Sequence, residues 1–173
     1  MKEFSHSSNE QAEPFEISRL IRNTVTVATN EWRYVAEVEL QLDDDVPPVK
    51  GIREHISQAL LNLIVNAAHA IDEANSDAEV EGVLGKISIS CAVSGSDVEV
   101  RITDTGTGIP EELHTKIIDP FFFTKEVDKG TGQGLSLSHK FIVDGHGGSI
   151  SFDTKSGEGT TFILRLPIEG KQE

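Results

Sequence analysis

Apolar and polar positions follow two different periods along this chain. Ile17, Leu20, Ile21, Thr24, Val25 and Ala28 recur at three- and four-residue spacing, which predicts an amphipathic helix over about 16–33. Ala36, Val38, Leu40 and Leu42 then alternate with Glu37, Glu39 and Gln41, the pattern of a half-buried strand. Asp43-Asp44-Asp45 and Pro47-Pro48 end it in a solvated loop. A second helix is predicted over about 52–74, and here the apolar residues run almost all round: Leu60, Leu61, Leu63, Ile64, Val65, Ala67, Ala68, Ala70 and Ile71. A helix of that kind is covered on most sides. Residues 75–85 form a loop of small and acidic residues. Ile87, Ile89, Cys91 and Val93 alternate, as do Val98, Val100 and Ile102, with Ser94-Gly95-Ser96-Asp97 as the hairpin turn between them. Two further alternating strands lie near 149–153 and 160–166, joined by Ser156-Gly157-Glu158-Gly159. A helix over about 134–144, closed by Gly145, precedes them.

These periods predict three main helices and five strands, four of the strands in two hairpins. The fold class is α+β, a two-layer sandwich with a mixed, mostly antiparallel five-stranded sheet and the helices on one face. Residues 1–14 read as a polar tail. Between Thr103 and Gly134 no long period survives, and Gly, Thr, Lys and Phe dominate. An irregular stretch of that length in a compact domain usually carries function.

Composition narrows the partners. The 173 residues suffice for one domain with a sizeable core. A net charge of −14 argues against a nucleic-acid or anionic-membrane surface. It also repels a bare polyphosphate, so a nucleotide should arrive with a metal ion and meet local donors. The single cysteine, Cys91, lies in a strand pattern and permits no disulfide within the chain, which points to a reducing, cytoplasmic setting. The sequence holds no signal peptide and no run of 18 apolar residues.

Four stretches carry candidate chemistry. Asn62 and Asn66 share one face of the apolar helix, with His69 three residues further on. Burying an amide without a partner costs roughly 1–3 kcal/mol. Either the two amides bond to neighbouring backbone, or they line a polar pocket and offer oxygens to a hard cation or a ligand. Asp104-Thr105-Gly106-Thr107-Gly108-Ile109-Pro110 follows a strand. It is either an ordinary turn or a carboxylate that accepts from an exocyclic amine while the glycines let backbone approach a flat ring. Phe121, Phe122 and Phe123 either close the core or anchor a lid. Gly130-Thr131-Gly132-Gln133-Gly134-Leu135 opens a helix, where free N–H groups and the dipole suit phosphate. It is neither a Walker A loop nor a Rossmann loop, because Gly-Lys-Ser/Thr and a parallel β-α-β unit are both missing.

In order, Asn62…Asn66, Asp104-x-Gly-x-Gly108, Phe121-Phe-Phe123, Gly130-x-Gly-x-Gly134 and Gly157-x-Gly-Thr-Thr161 resemble the N, G1, F, G2 and G3 boxes of the GHKL (Bergerat-fold) ATP-binding superfamily. The nearest likeness is to the catalytic and ATP-binding domain of bacterial sensor histidine kinases, and it covers residues 15–168, leaving 169–173 as a tail. The resemblance implies ATP and Mg²⁺ as cofactors. By it, Asn66 ligands the metal, with Asn62 assisting, and His69 and Ala70 stand beside them. Asp104 accepts from the adenine amino group, Gly106, Gly108 and Ile109 lie against the ring, and Thr160 bonds nearby. Lys125 is either a phosphate contact in the lid or a solvated lysine. Gly130, Thr131, Gly132, Gln133, Gly134 and Leu135 cradle phosphate. The G2 box departs at Gln133, where the family more often has Leu or Met.

The implied reaction moves the γ-phosphoryl group of ATP to a histidine on a separate dimerisation domain, for relay to the receiver domain of a response regulator. His6 is not followed by the acceptor pattern, and residues 1–14 resemble a linker or the remnant of an upstream dimerisation helix. No catalytic side chain beyond ATP and metal positioning is implied on this chain. The alternatives are a self-contained GHKL ATPase and a non-catalytic ATP-binding module. The ATPases of the superfamily carry a water-activating glutamate where this chain has Asn62.

Overall fold

The computed structural model describes residues 11–77, 84–113 and 131–171. Five strands form one mixed sheet: β2 (Ala36–Leu42), β4 (Gly85–Ser94), β5 (Asp97–Asp104), β6 (Ser149–Lys155) and β7 (Gly159–Pro167). Their order is β2-β4-β5-β7-β6. Only β2 and β4 run parallel, with Val38 opposite Ile87, and their connection carries the long helix α3 (Arg53–Asp77). The other pairings are antiparallel. The predicted fold class therefore stands, as do both hairpins.

Alternation sorts each strand's side chains to two faces. On the inner face the residues line up in rows across the sheet. Cys91, Val100, Leu164 and Ile150 form one row, and Ile89, Ile102, Phe162 and Phe152 the next. The last row, at one end of the sheet, is different: Ile87, Asp104, Thr160 and Thr154. Three polar side chains thus close a face that is otherwise apolar. Helix α3 lies over β4, β5 and β7, and α1 (Ile17–Val27) and α4 (Thr131–His139) pack against it. Leu63, Ile64, Ala67, Ala68 and Ile71 are buried between these layers. The outer face is polar, and Glu99 there receives Arg101 at 2.7 Å and Arg165 at 2.8 Å.

The structure departs from the periodicity in four places. Glu13 and Pro14, expected in a polar tail, join Phe15 in strand β1 (Glu13–Phe15), which pairs with β3 (Val49–Gly51) in a small second sheet. Strands of three residues are too short to show a period, and Pro14 argues against one. The helix expected over 16–33 breaks at Ala28 into α1 and α2 (Thr29–Trp32). Local hydroxyls compete for its carbonyls: Thr26 Oγ1 donates to Arg22 O and Thr29 Oγ1 to Thr26 O, while Trp32 Nε1 takes Val25 O. The long helix α3 runs to Asp77, three residues past the expected end. The last helix starts at Thr131 and widens into a π-turn over Lys140–Asp144. Gly145 does not close it. Its φ of −79° is helical, and Gly147 at φ +69° ends the element.

His146 holds that end in place. It is 4% exposed, accepts the Ile52 N–H on Nε2 at 2.9 Å, and donates from Nδ1 to Phe141 O at 2.7 Å. An amide N–H can only donate, so Nε2 is the bare nitrogen and the ring is neutral. Burial, with help from His55 and Lys171, pushes the imidazole pKa down. The unfolded chain therefore binds the proton more readily, and this stabilisation is full above about pH 6.5 and is lost as the pH falls below it. His146→Phe should cost about 1–3 kcal/mol at pH 7.5, through two unpaired backbone groups. The gap between variant and wild type in urea unfolding should shrink at pH 5.5. An unchanged gap would rule out the neutral clamp.

Candidate nucleotide site

Asp104 ends β5 on the inner face, at 5% exposure. Its Oδ1 accepts the Gly106 N–H at 2.8 Å, and the Thr160 N–H also donates to the carboxylate. Burial nevertheless outweighs both bonds and pushes its pKa up to about 6. A buried carboxylate needs a partner, and none of the described residues offers Asp104 a cation.

The loop after Asp104 is sewn down on both sides. Gly106 sits against α3, so closely that a Cβ there would lie 2.5 Å from the Ala70 Cβ. Gly108 has φ +79°, and a Cβ on it would meet Lys155 O at 2.4 Å. The Ile109 N–H donates to Thr154 Oγ1 at 2.9 Å, and the Gly157 N–H to Thr107 O at 2.6 Å. Thr105 Oγ1 accepts the Lys86 N–H. Ala70, Asp104, Gly106, Gly108, Ile109 and Thr160 are thus brought together where the polar row of the sheet meets α3.

The asparagines lie one and two turns back along α3. Gln58 Nε2 donates to Asn62 Oδ1 at 3.0 Å. Asn66 Nδ2 is buried and has no hydrogen-bond partner among the described residues. His69, on the same helix, is exposed, with Nε2 3.9 Å from Glu31 Oε1. Further along, Thr107 Oγ1 lies 3.4 Å from Glu73 Oε1. Thr131–Leu135 open α4, and Leu135 turns its side chain into the core at 2% exposure. Ser138 Oγ ties α4 to Ala59 O of α3. Lys125, Gly130 and Phe121–Phe123 lie outside the described residues.

Sequence reasoning missed Thr154. The signal was available, because Thr154 follows Ile150 and Phe152 in the inward phase of β6, as Asp104 follows Val100 and Ile102 in β5. A polar residue where the phase demands an apolar one marks the edge of the core.

Known proteins place this arrangement. The family profile described as histidine kinase-, DNA gyrase B-, and HSP90-like ATPase matches residues 51–170. The chain is 36% identical over 159 residues to the nitrogen regulation protein NtrY of Azorhizobium caulinodans, covering 90% of this chain and 19% of that protein. It is 36% identical over 168 residues to the signal transduction histidine-protein kinase AtoS of Escherichia coli, covering 96% and 26%. It therefore spans about a quarter or less of these relatives. The catalytic domain of histidine kinase ThkA superposes with a TM-score of 0.74 at 33% identity, over 92% of this chain and 97% of that one. The same kinase has also been solved in complex with the response regulator protein TrrA, with a TM-score of 0.68 and 31% identity, over 91% and 42%. The buried carboxylate, the closely packed glycines after it and these likenesses agree, and the chain belongs to the histidine kinase-, DNA gyrase B- and HSP90-like ATPase family.

Proposed function

We propose that this chain is the ATP-binding catalytic unit of a sensor histidine kinase, with residues 15–168 as the unit. It would transfer the γ-phosphoryl group to a histidine on a separate dimerisation domain, for relay to a response regulator. The observation that carries the reading is Asp104: a buried acceptor with a raised pKa, followed by two glycines that are closely packed against Ala70 and Lys155. A 6-amino group would offer such a carboxylate a further donor, and Gly108 and Ile109 would lie against the ring.

The residues also fit a magnesium ion that comes with the nucleotide. Asn66 has a buried amide terminus with no partner among the described residues. Turned about its last torsion, it presents an oxygen in that place. Asn62 and Asn66 are neutral, and no group of three acidic, His or Cys side chains gathers among the described residues. That set suits a cation already charge-matched by phosphates better than a resident one. Bound there, the ion would supply charge neutralisation to the β- and γ-phosphates. The chain's own part is positioning: Asp104 and Thr160 fix the base, and the backbone of Thr131–Leu135 offers N–H groups at the start of α4.

Phosphoryl transfer depends mainly on such positioning and charge stabilisation. Water activation is a different requirement, and Asn62 cannot act as its base. A histidine acceptor is thus favoured over water. The proposed partners are a histidine-bearing dimerisation domain and the receiver domain of a response regulator; ThkA has been solved in complex with the response regulator protein TrrA. Among the described residues no helix is long and apolar enough to cross a membrane. We place the unit on the cytoplasmic side.

With γ-labelled ATP, the isolated chain should bind nucleotide, hydrolyse it very slowly and remain unlabelled. Adding a dimerisation domain with an acceptor histidine should give acid-labile label on that histidine. Rapid multiple-turnover hydrolysis by the chain alone would replace this reading with the ATPase one.

A further inference from the structure

Thr154 stands beside Thr160 at the end of the inner face, its cross-strand partner in β6. Three contacts meet at its hydroxyl. The Ile109 N–H points to it at 2.9 Å, the Gly159 carbonyl oxygen lies 3.0 Å away, and Thr160 Oγ1 lies 2.8 Å away. A hydroxyl has one hydrogen and two lone pairs. An N–H can only donate and a carbonyl can only accept. All three contacts are satisfied in one arrangement: Thr154 donates to Gly159 O and accepts from both Ile109 and Thr160. Thr160 then uses its hydrogen inside the sheet end and keeps only lone pairs for a ligand. Asp104, the cross-strand partner of Thr160 in β5, also only accepts when ionised.

We propose that Thr154 is a specificity-determining positioning residue, which holds Thr160 as an acceptor so that the base edge meeting Asp104 and Thr160 must supply hydrogens. Adenine does so through its 6-amino group. Hypoxanthine presents a 6-oxo acceptor to the same carboxylate and is refused. The same hydroxyl holds the Ile109 backbone, so the floor under the ring and the polarity of the pocket wall depend on one side chain. The proposal rests on the nucleotide reading of the site.

The test is calorimetric titration of the whole chain with Mg·ATP and with Mg·inosine triphosphate. Thr154→Val and Thr154→Ala remove the hydroxyl, and Thr154→Ser retains it. Thr161→Val is the control. Its hydroxyl pairs with Thr103 Oγ1 at 2.9 Å on the outer face, between β5 and β7. Wild type should prefer ATP. The Val and Ala variants should lose about tenfold of that preference, the share of one hydrogen bond. The Ser variant and the control should keep it. If Thr154→Val does not fold, the Ala and Ser variants decide. An unchanged ATP preference in the Val and Ala variants, or equal losses for both nucleotides, would overturn the proposal and leave the nucleotide reading intact. Wild type that binds neither nucleotide would remove the site reading and this proposal with it.

Discussion

Replacing Asn66 with alanine is expected to abolish Mg²⁺-dependent ATP binding without loosening the fold. The two halves of that statement have separate causes. Asn66 sits mid-helix in α3, and alanine is the better helix former there by roughly half a kcal/mol. The asparagine also holds a buried Nδ2 with no partner among the described residues. Such an atom costs about 1–3 kcal/mol, and alanine removes it. The melting temperature of the empty domain should therefore stay level or rise. Binding should fail, because no other described side chain on that face presents an unpaired amide to a phosphate-bound cation. Chelating the magnesium should weaken ATP binding by wild type and leave the variant unchanged. Calorimetry showing wild-type affinity for Mg·ATP in the variant would remove Asn66 from the metal's coordination.

Asp104→Asn should lower ATP affinity by about 1.5–3 kcal/mol, the range for a hydrogen bond to a charged group. The change keeps the shape of the side chain and still allows one oxygen to accept from Gly106. What it loses is an acceptor-only terminus, since the amide turns two hydrogens toward the cleft or toward the Gly106 and Thr160 N–H groups. Wild type should bind ATP well ahead of GTP, whose 6-oxo group meets a like-natured acceptor. Equal affinity of wild type for the two nucleotides would rule out Asp104 as the base contact.

How far the sequence reaches depends on the length of each pattern. Helix α3 was legible because its apolar residues outnumber what one face can hold. The hairpins were legible because Gly95 and Gly157 interrupt clean alternation, and both adopt positive φ. Strands β1 and β3 were not legible, since three residues carry no period. The break at Ala28 turns on threonine hydroxyls choosing carbonyls three and four residues back, and spacing does not encode that choice. The end of the element after the widening at Lys140–Asp144 is tied by His146 to Ile52, 94 residues away, a contact that local spacing does not encode. In the site, glycines and a strand-end aspartate could be read directly. Gly106 shows the physical reason, because its place against Ala70 leaves no room for any Cβ. Thr154 reads as an ordinary strand threonine until the register sets it beside Thr160. His69 shares a helical face with Asn62, but it is exposed and lies 3.9 Å from the surface carboxylate of Glu31.

Asp104 has a consequence for the empty domain. Its pKa of about 6 stands above the ordinary 3.8, so the native state binds its proton more tightly than the unfolded chain does. The corresponding stability, on the order of 3 kcal/mol, is present below about pH 4 and is lost as the pH rises through about 6. At neutral pH the unliganded fold thus carries a buried carboxylate held by two backbone N–H groups, which offset only part of the cost of burial. A ligand that donates to this carboxylate relieves part of that tension, and binding to the native state alone adds further stability by mass action. On the proposed reading, nucleotide would act as a missing piece of the core. The amount of folded domain, and its resistance to proteolysis, should then rise with the ATP concentration around it.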